Sequence, residues 1–102
     1  MLSTDADEAI VLRRRANIRA GRGRAVGTLF VTTRRLSFRP LSRARRVDID
    51  LEDIESVATT GIFFKKMRVC TADATYTMFM KKAANVVSLV RTLMDVPSAA
   101  GP

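Results

Sequence analysis

Hydrophobic and polar residues alternate along most of the chain before residue 80. In Val47–Leu51, Val47, Ile49 and Leu51 share one face, while Asp48 and Asp50 share the other. A period of two is typical of a strand with one buried face. Turn residues such as Gly21, Gly23 and Asp73 separate the runs. The pattern predicts about seven short strands. They are Ile10–Ala20, Ala25–Thr32, Leu36–Phe38, Val47–Leu51, Ile54–Thr60, Met67–Ala72 and Thr75–Met80.

The period changes near residue 82, where apolar residues begin to recur every three or four positions. Val86, Leu89, Val90 and Leu93 form the centre of this stripe. The spacing predicts an amphipathic helix over residues 82–94. A helix of this kind must bury its stripe, and we expect it to pack over the open end of a curled sheet.

The length of 102 residues favours a single domain. We assign residues 9–95 to this domain. Residues 1–8 are polar and acidic and are predicted to form a flexible N-terminal tail. Residues 96–102 are small and contain Pro and Gly, which predicts a flexible C-terminal tail or linker.

The composition argues against most catalytic chemistry. The chain has no His and one Cys, Cys70. It therefore lacks the commonest general base and the Cys/His spacing of zinc sites. We expect no enzyme activity, no cofactor and no metal. The longest uncharged stretches, such as Ala25–Thr33, are far shorter than a membrane span, and the single Cys fits a reducing, cytoplasmic location.

The net charge of +8 is distributed very unevenly. Residues 9–47 contain twelve Arg and no acid, whereas residues 48–55 contain five acids and no base. A block of Arg attracts polyanions such as nucleic acid, anionic lipid or an acidic protein. The alternative is that some of these arginines pair across strands with the acids at 48–55.

Four segments resemble GRAM domains, and the prokaryotic type in particular. They are VLRRRANI, GTLFVTTRRLSFRP, VDIDLEDIESV and MRVCTADATYTMFM, which together lie within residues 9–94. The resemblance implies a pleckstrin-homology-like (PH-like) fold, a mainly β, seven-stranded antiparallel, partly open barrel capped by one C-terminal helix. It also implies a non-catalytic module that binds phosphoinositides, other anionic lipids or proteins.

The first and third turns of an antiparallel meander emerge at the same end of the sheet. We therefore expect the loops at 21–24 and 40–46 to be neighbours. Gly21 and Gly23 would let backbone amides approach an anion closely. The candidate anion-binding residues are Arg22, Arg24, Arg43, Arg45 and Arg46. The alternative is a pair of solvated loops that happen to be basic.

A second candidate is a membrane contact. Three large apolar residues precede two lysines next to Gly61, as in segments that enter the membrane interface. They are Ile62, Phe63, Phe64, Lys65 and Lys66. Turn parity would place this segment at the same end as the arginine loops. Alternatively the run belongs to a strand and one Phe fills the core.

Three functions remain open at this stage. The first is an adaptor that binds anionic phospholipid headgroups and is peripheral at membranes. The second is a protein-interaction module that uses the groove between helix and strand, or a sheet edge. The third is non-specific nucleic-acid binding, which the basic pI of about 11.1 favours and the lack of a recognisable reading helix disfavours.

Overall fold

In the computed structural model, which describes residues 8–21, 23–43 and 45–95, seven antiparallel strands form one sheet and a helix follows them. The strand order is β4-β3-β2-β1-β7-β6-β5. The predicted fold class is confirmed. The elements are β1 (Ile10–Ala20), β2 (Gly23–Thr32), β3 (Arg35–Pro40), β4 (Val47–Asp50), a 3-10 turn (Leu51–Asp53), β5 (Ile54–Thr60), β6 (Lys66–Thr71), β7 (Thr75–Phe79) and α1 (Ala83–Asp95).

The core is built from the inward face of the strands, as the alternating pattern predicts. In β1 the buried positions are Ala16 and Ile18, and in β2 they include Leu29 and Val31. Side chains of successive strand residues point to opposite faces, so the intervening Arg15 and Asn17 face solvent. This separation leaves most arginines of β1 on the outer face of the sheet.

Helix α1 covers one part of the sheet and packs against β5, β6 and the 3-10 turn. Its buried residues are Ala83, Val86, Val87 and Val90. Arg91 on its flank donates hydrogen bonds from Nη2 and Nε to the carbonyl oxygen of Val57 in β5, at 2.9 and 3.2 Å. The helix is therefore held to the edge strand β5 by both apolar packing and backbone recognition.

The close approach of β2 and β3 explains the glycine at position 27. A Cβ atom built there would lie 2.1 Å from the carbonyl oxygen of Arg39 and 2.7 Å from Cα of Pro40. Both are backbone atoms of the paired strand, and they cannot move away without breaking the pairing of Gly27 with Pro40. A side chain at this position is excluded.

The 3-10 turn joins two strands, β4 and β5, that would run in opposite directions in a simple meander. Each neighbouring pair in the sheet is antiparallel, so the strand order makes β4 and β5 run in the same direction. The β1–β2, β3–β4 and β6–β7 turns leave one end of the strands, which we call the arginine end. The β5–β6 loop and the connection from β7 to α1 leave the other end, which we call the apolar end.

Most boundaries agree with the sequence prediction to within one or two residues, and two of the differences involve buried residues. Leu51 belongs to the 3-10 turn and not to β4. Glu8, predicted to lie in the N-terminal tail, is buried, and its Oε2 accepts a hydrogen bond from Thr32 Oγ1 at 2.7 Å. One acid among three in a polar segment carries no periodic signal, so the sequence does not show that Glu8 has long-range partners. The other residues of the predicted tails, 1–7 and 96–102, lie outside the described residues.

Candidate anion-binding and membrane-contact site

The first and third turns do emerge together at the arginine end. The backbone N–H of Leu41 donates to the carbonyl oxygen of Val26 at 2.9 Å, which ties the β3–β4 loop to the strand that carries Arg24. Arg24, Arg43 and Arg45 are exposed. Arg22 lies outside the described residues. The two turns thus leave the same end of the sheet, while anion binding by these arginines stays a prediction.

Arg46 is already engaged. Its Nε lies 3.1 Å from Oδ2 of Asp48, and Ser37 Oγ donates to the other carboxylate oxygen of Asp48 at 2.6 Å. Arg46 thus pairs with one of the acids at 48–55, although within its own segment and not across strands. Both charged side chains are partly exposed, so the pair contributes little to stability. Arg46 would have to exchange a carboxylate for any incoming anion.

Two arginines that sequence reasoning missed lie near the same end. Arg19 is the cross-strand partner of Arg24, and both line a shallow cleft of about 300 Å³. Arg39 packs over the ring of Phe30, with its guanidinium carbon 5.9 Å from the ring centroid. Nε and Nη2 of Arg39 are buried and have no hydrogen-bond partner among the described residues. Strand alternation could have identified Arg19, because it shares the outer face with Arg13 and Arg15.

The segment at 62–64 is a loop with all three apolar side chains in solvent. Ile62, Phe63 and Phe64 are 87%, 89% and 86% exposed. The alternative in which one Phe fills the core is wrong. Gly61 has a φ of 95°, in the region that favours glycine, and a Cβ there would lie 2.3 Å from the carbonyl oxygen of Phe64. This turn lifts the apolar residues off the sheet.

The expectation that this loop shares an end with the arginine loops is wrong. Turn parity fails because β4 and β5 run in the same direction, so the β5–β6 loop leaves the apolar end. At that end Lys66 is the cross-strand partner of Phe79, and its Nζ lies 5.1 Å from the centroid of the Phe79 ring. Lys65 is exposed. The two predicted sets are therefore separate surfaces.

The apolar end also holds a larger cleft that the sequence did not reveal. It lies between β1 and the connection from β7 to α1 and has a volume of about 660 Å³. Five of its nine lining residues are cations, and none is an acid. These cations are Arg13, Arg14, Arg15, Lys81 and Lys82.

The described residues offer little for metal or thiol chemistry. Within 8–21, 23–43 and 45–95, no three residues among His, Cys, Asp and Glu are grouped so that they could hold a metal ion. Cys70 is half-buried on β6, and its sulfur accepts a weak contact from Thr75 Oγ1 at 3.8 Å. In the same part of the chain, no helix has the length and apolar character needed to span a bilayer.

Comparison with known proteins supports a PH-like domain. A family profile described as Bacterial PH domain matches residues 5–95. A search of curated proteins gave no significant match. The family match supports the PH-like superfamily that the resemblance implied, while the GRAM subgroup stays a prediction.

Solved structures with the same fold include three clear neighbours. The C-terminal domain of an unknown protein from Leishmania infantum has a TM-score of 0.75 at 18% identity, with 87% of this chain and 86% of that chain covered. The Vps36 N-terminal PH domain has a TM-score of 0.75 at 11% identity, with 91% and 83% covered. The human ARAP2 N-terminal PH domain has a TM-score of 0.68 at 13% identity, with 99% and 90% covered. At these identities the likeness concerns the fold alone.

Proposed function

The chain belongs to the bacterial PH domain family, and we propose that it is an adaptor that docks on anionic phospholipid at the cytoplasmic face of a membrane. Domains of the PH-like superfamily are in general non-catalytic binding modules, so the site has to supply recognition and no reaction. The ligands would be acidic phospholipid headgroups, phosphoinositides included.

The observation that carries this proposal is the exposed loop at 62–64. Three adjacent large apolar side chains, each more than 85% exposed, form a contiguous protrusion that water solvates poorly. Lys65 and Lys66 follow directly and lie where headgroup phosphates would meet an inserted loop. A bilayer satisfies both requirements at once, because it offers an apolar interior beneath an anionic surface.

The arginine loops form a separate headgroup-binding candidate within the same proposal. Arg24, Arg43 and Arg45 are exposed, and Leu41 adds an exposed apolar residue beside them. Leu41 and Val26 there are 66% and 48% exposed, whereas the three residues at the apolar end are each more than 85% exposed. Insertion at 62–64 is therefore the stronger membrane contact, and the arginine loops are the alternative docking surface.

The test replaces Phe63 and Phe64 with serine and measures co-sedimentation with vesicles. On vesicles that contain phosphatidylserine or phosphatidylinositol phosphate, we expect Phe63→Ser/Phe64→Ser to weaken binding roughly 10- to 100-fold. The reason is that the variant loses two Phe side chains that the bilayer would partly bury. Both side chains are exposed in the free protein, so the fold should be unaffected. Binding to neutral phosphatidylcholine vesicles should be weak for every variant.

Leu41→Ser is the matched control, since it removes an exposed apolar residue at the arginine end. If Leu41→Ser abolishes binding and the double Phe variant does not, the arginine end is the docking surface and the proposed contact is refuted. Equal affinity of the native chain for anionic and neutral vesicles would refute the lipid proposal as a whole.

The protein-interaction alternative meets an obstacle at the groove between α1 and β5. Arg91 already occupies the carbonyl oxygen of Val57 on this edge strand, so a peptide cannot pair there without displacing it. Nucleic-acid binding has one observation in its favour, which is that Phe30 and Phe79 each carry a cation over the ring on the outer face of the sheet. Retention of single-stranded RNA on a filter at physiological salt would favour that reading.

A further inference from the structure

The cleft at the apolar end exists because β1 is longer than its partner β7. Strand β7 ends at Phe79, which is the cross-strand partner of Asn17, whereas β1 begins at Ile10. Residues 13–16 of β1 consequently have β2 on one side and no strand on the other. The chain turns away through Met80, Lys81 and Lys82 into α1, and this leaves the cavity of about 660 Å³ described above. A volume of this size accommodates a small ligand.

The walls of the cleft present uncompensated positive charge. Arg13, Arg15, Lys81 and Lys82 are exposed, and none of them has an ion-pair partner among the described residues. Arg14 has a different task, because its Nη1 donates to the carbonyl oxygen of Lys81 at 3.0 Å and so ties the two walls together. The hydrogen bond of Arg14 therefore holds the two walls of the cleft together, and four exposed cationic side chains are available to a ligand.

The start of α1 forms one end of the cleft and carries no negative charge. Lys82 has a φ of 56°, a backbone conformation that non-glycine residues seldom adopt. Its carbonyl oxygen accepts from the N–H groups of Asn85 and Val86 at 3.0 and 3.3 Å, so it caps the first turn of the helix. The first turn contains no acid. The partial positive charge of a helix N-terminus favours anions, and the two residues before this helix are lysines.

We infer that this cleft is a binding site for a phosphate group, held by Arg13, Arg15, Lys81 and Lys82. The inference deepens the proposed membrane function, on which it rests for the source of the phosphate. Phe79 lines the cleft and is the cross-strand partner of Lys66, the second residue after the loop at 62–64. A headgroup phosphate of a lipid would thus enter the cleft while the apolar loop enters the bilayer.

The site is tested in solution with the full chain and inorganic phosphate, followed by amide chemical shifts. Phosphate at millimolar concentration should shift the amides of residues 13–16 and 82–86 and leave those of 43 and 45 unchanged. Lys81→Gln/Lys82→Gln should abolish these shifts, and Arg34→Gln/Arg68→Gln, which removes the same net charge elsewhere, should retain them. Absence of shifts at residues 13–16 and 82–86 in the native chain overturns the inference.

The vesicle arm identifies the source of the phosphate. With phosphatidate vesicles, Lys81→Gln/Lys82→Gln should weaken binding by about 5-fold for each lysine, and the Arg34→Gln/Arg68→Gln control should do so less. If phosphate shifts the cleft amides but the lysine variant binds vesicles normally, the source is a free phosphate and the lipid assignment is overturned. Failure of the Phe63→Ser/Phe64→Ser test alone would remove the proposed membrane contact at 62–64 and leave the solution result intact.

Two further outcomes separate a binding role from a structural one. Lys82→Gly relieves the positive φ, so it should raise the midpoint of thermal unfolding while weakening phosphate binding. Opposite signs of the two effects support the inference, and tighter phosphate binding in the more stable variant refutes it. An acidic peptide that shifts the amides of 13–16 where phosphate does not would also refute it, in favour of strand addition at the free part of β1.

Discussion

At the scale of single residues, the carboxylate of Glu8 organises the start of the domain. It is fully buried, with Oε2 at 3.0 Å from Arg35 Nε, and Oε1 accepts from Arg35 Nη2 at 3.2 Å. Thr32 Oγ1 donates a hydrogen bond to Oε2 of Glu8. It also accepts hydrogen bonds from the backbone N–H groups of Arg34 and Arg35, at 3.1 and 2.9 Å. One acid thus stabilises the β2–β3 turn and neutralises one of the twelve early arginines.

We expect Glu8→Gln to lower the free energy of unfolding by about 1–3 kcal/mol. The loss of a fully buried ion pair costs more, but Arg35 keeps part of its side chain in water. Urea denaturation measures the effect. Glu55→Gln removes an exposed acid of β5 and should change stability by less than about 0.5 kcal/mol. Equal effects of the two substitutions would contradict a structural role for Glu8.

At the scale of elements, most strands were predictable because each has one apolar and one polar face. The hairpin at Asp73–Ala74 shows where the pattern stops. Its amides at Asp73 and Ala74 donate to Thr71 Oγ1 at 3.3 and 3.1 Å. The turn therefore needs no residue with positive φ, and Ala is compatible with it. The hydrogen bonds that Thr71 accepts within this turn do not depend on the alternation of apolar and polar residues, so the sequence pattern does not predict them.

The pairing of β2 with β3 gives a sharp prediction for Gly27. We expect Gly27→Ala to destabilise the fold by about 3 kcal/mol, because the new methyl group meets backbone atoms of β3. Gly23→Ala in the same strand is the control, since its Cβ would lie at an ordinary 3.5 Å from the nearest atom. Thermal unfolding of both variants measures the difference, and a Gly27→Ala protein as stable as the control would refute the close approach.

At the scale of the whole molecule, the sequence predicted the candidate residues better than their arrangement. The exposed loop at 62–64 and the basic loops at 24 and 43–46 were identified from composition and turn chemistry. Their assignment to one end failed, because the direction of β5 depends on the 3-10 turn and on pairing with β6. The cleft beside Lys81 and Lys82 depends on the unequal lengths of β1 and β7, which local patterns do not encode.

The charge of the whole domain predicts how membrane binding should respond to salt. Raising the ionic strength from about 0.05 to 0.5 M should weaken binding to anionic vesicles strongly, since the screening length falls to a few ångströms. The apolar loop should preserve residual binding at high salt, and Phe63→Ser/Phe64→Ser should lose it. Co-sedimentation across a salt series measures both effects. Binding that is independent of salt would contradict an electrostatic contribution.

The 3-10 turn at Leu51–Asp53 has a consequence for anyone who redesigns this protein. The position of the apolar loop relative to the arginines is a property of the path of the chain, so no substitution within the loop can change it. An engineer can therefore alter one surface without changing the residues of the other. A single short turn between β4 and β5 thus places the apolar loop and the arginine loops at opposite ends of the strands.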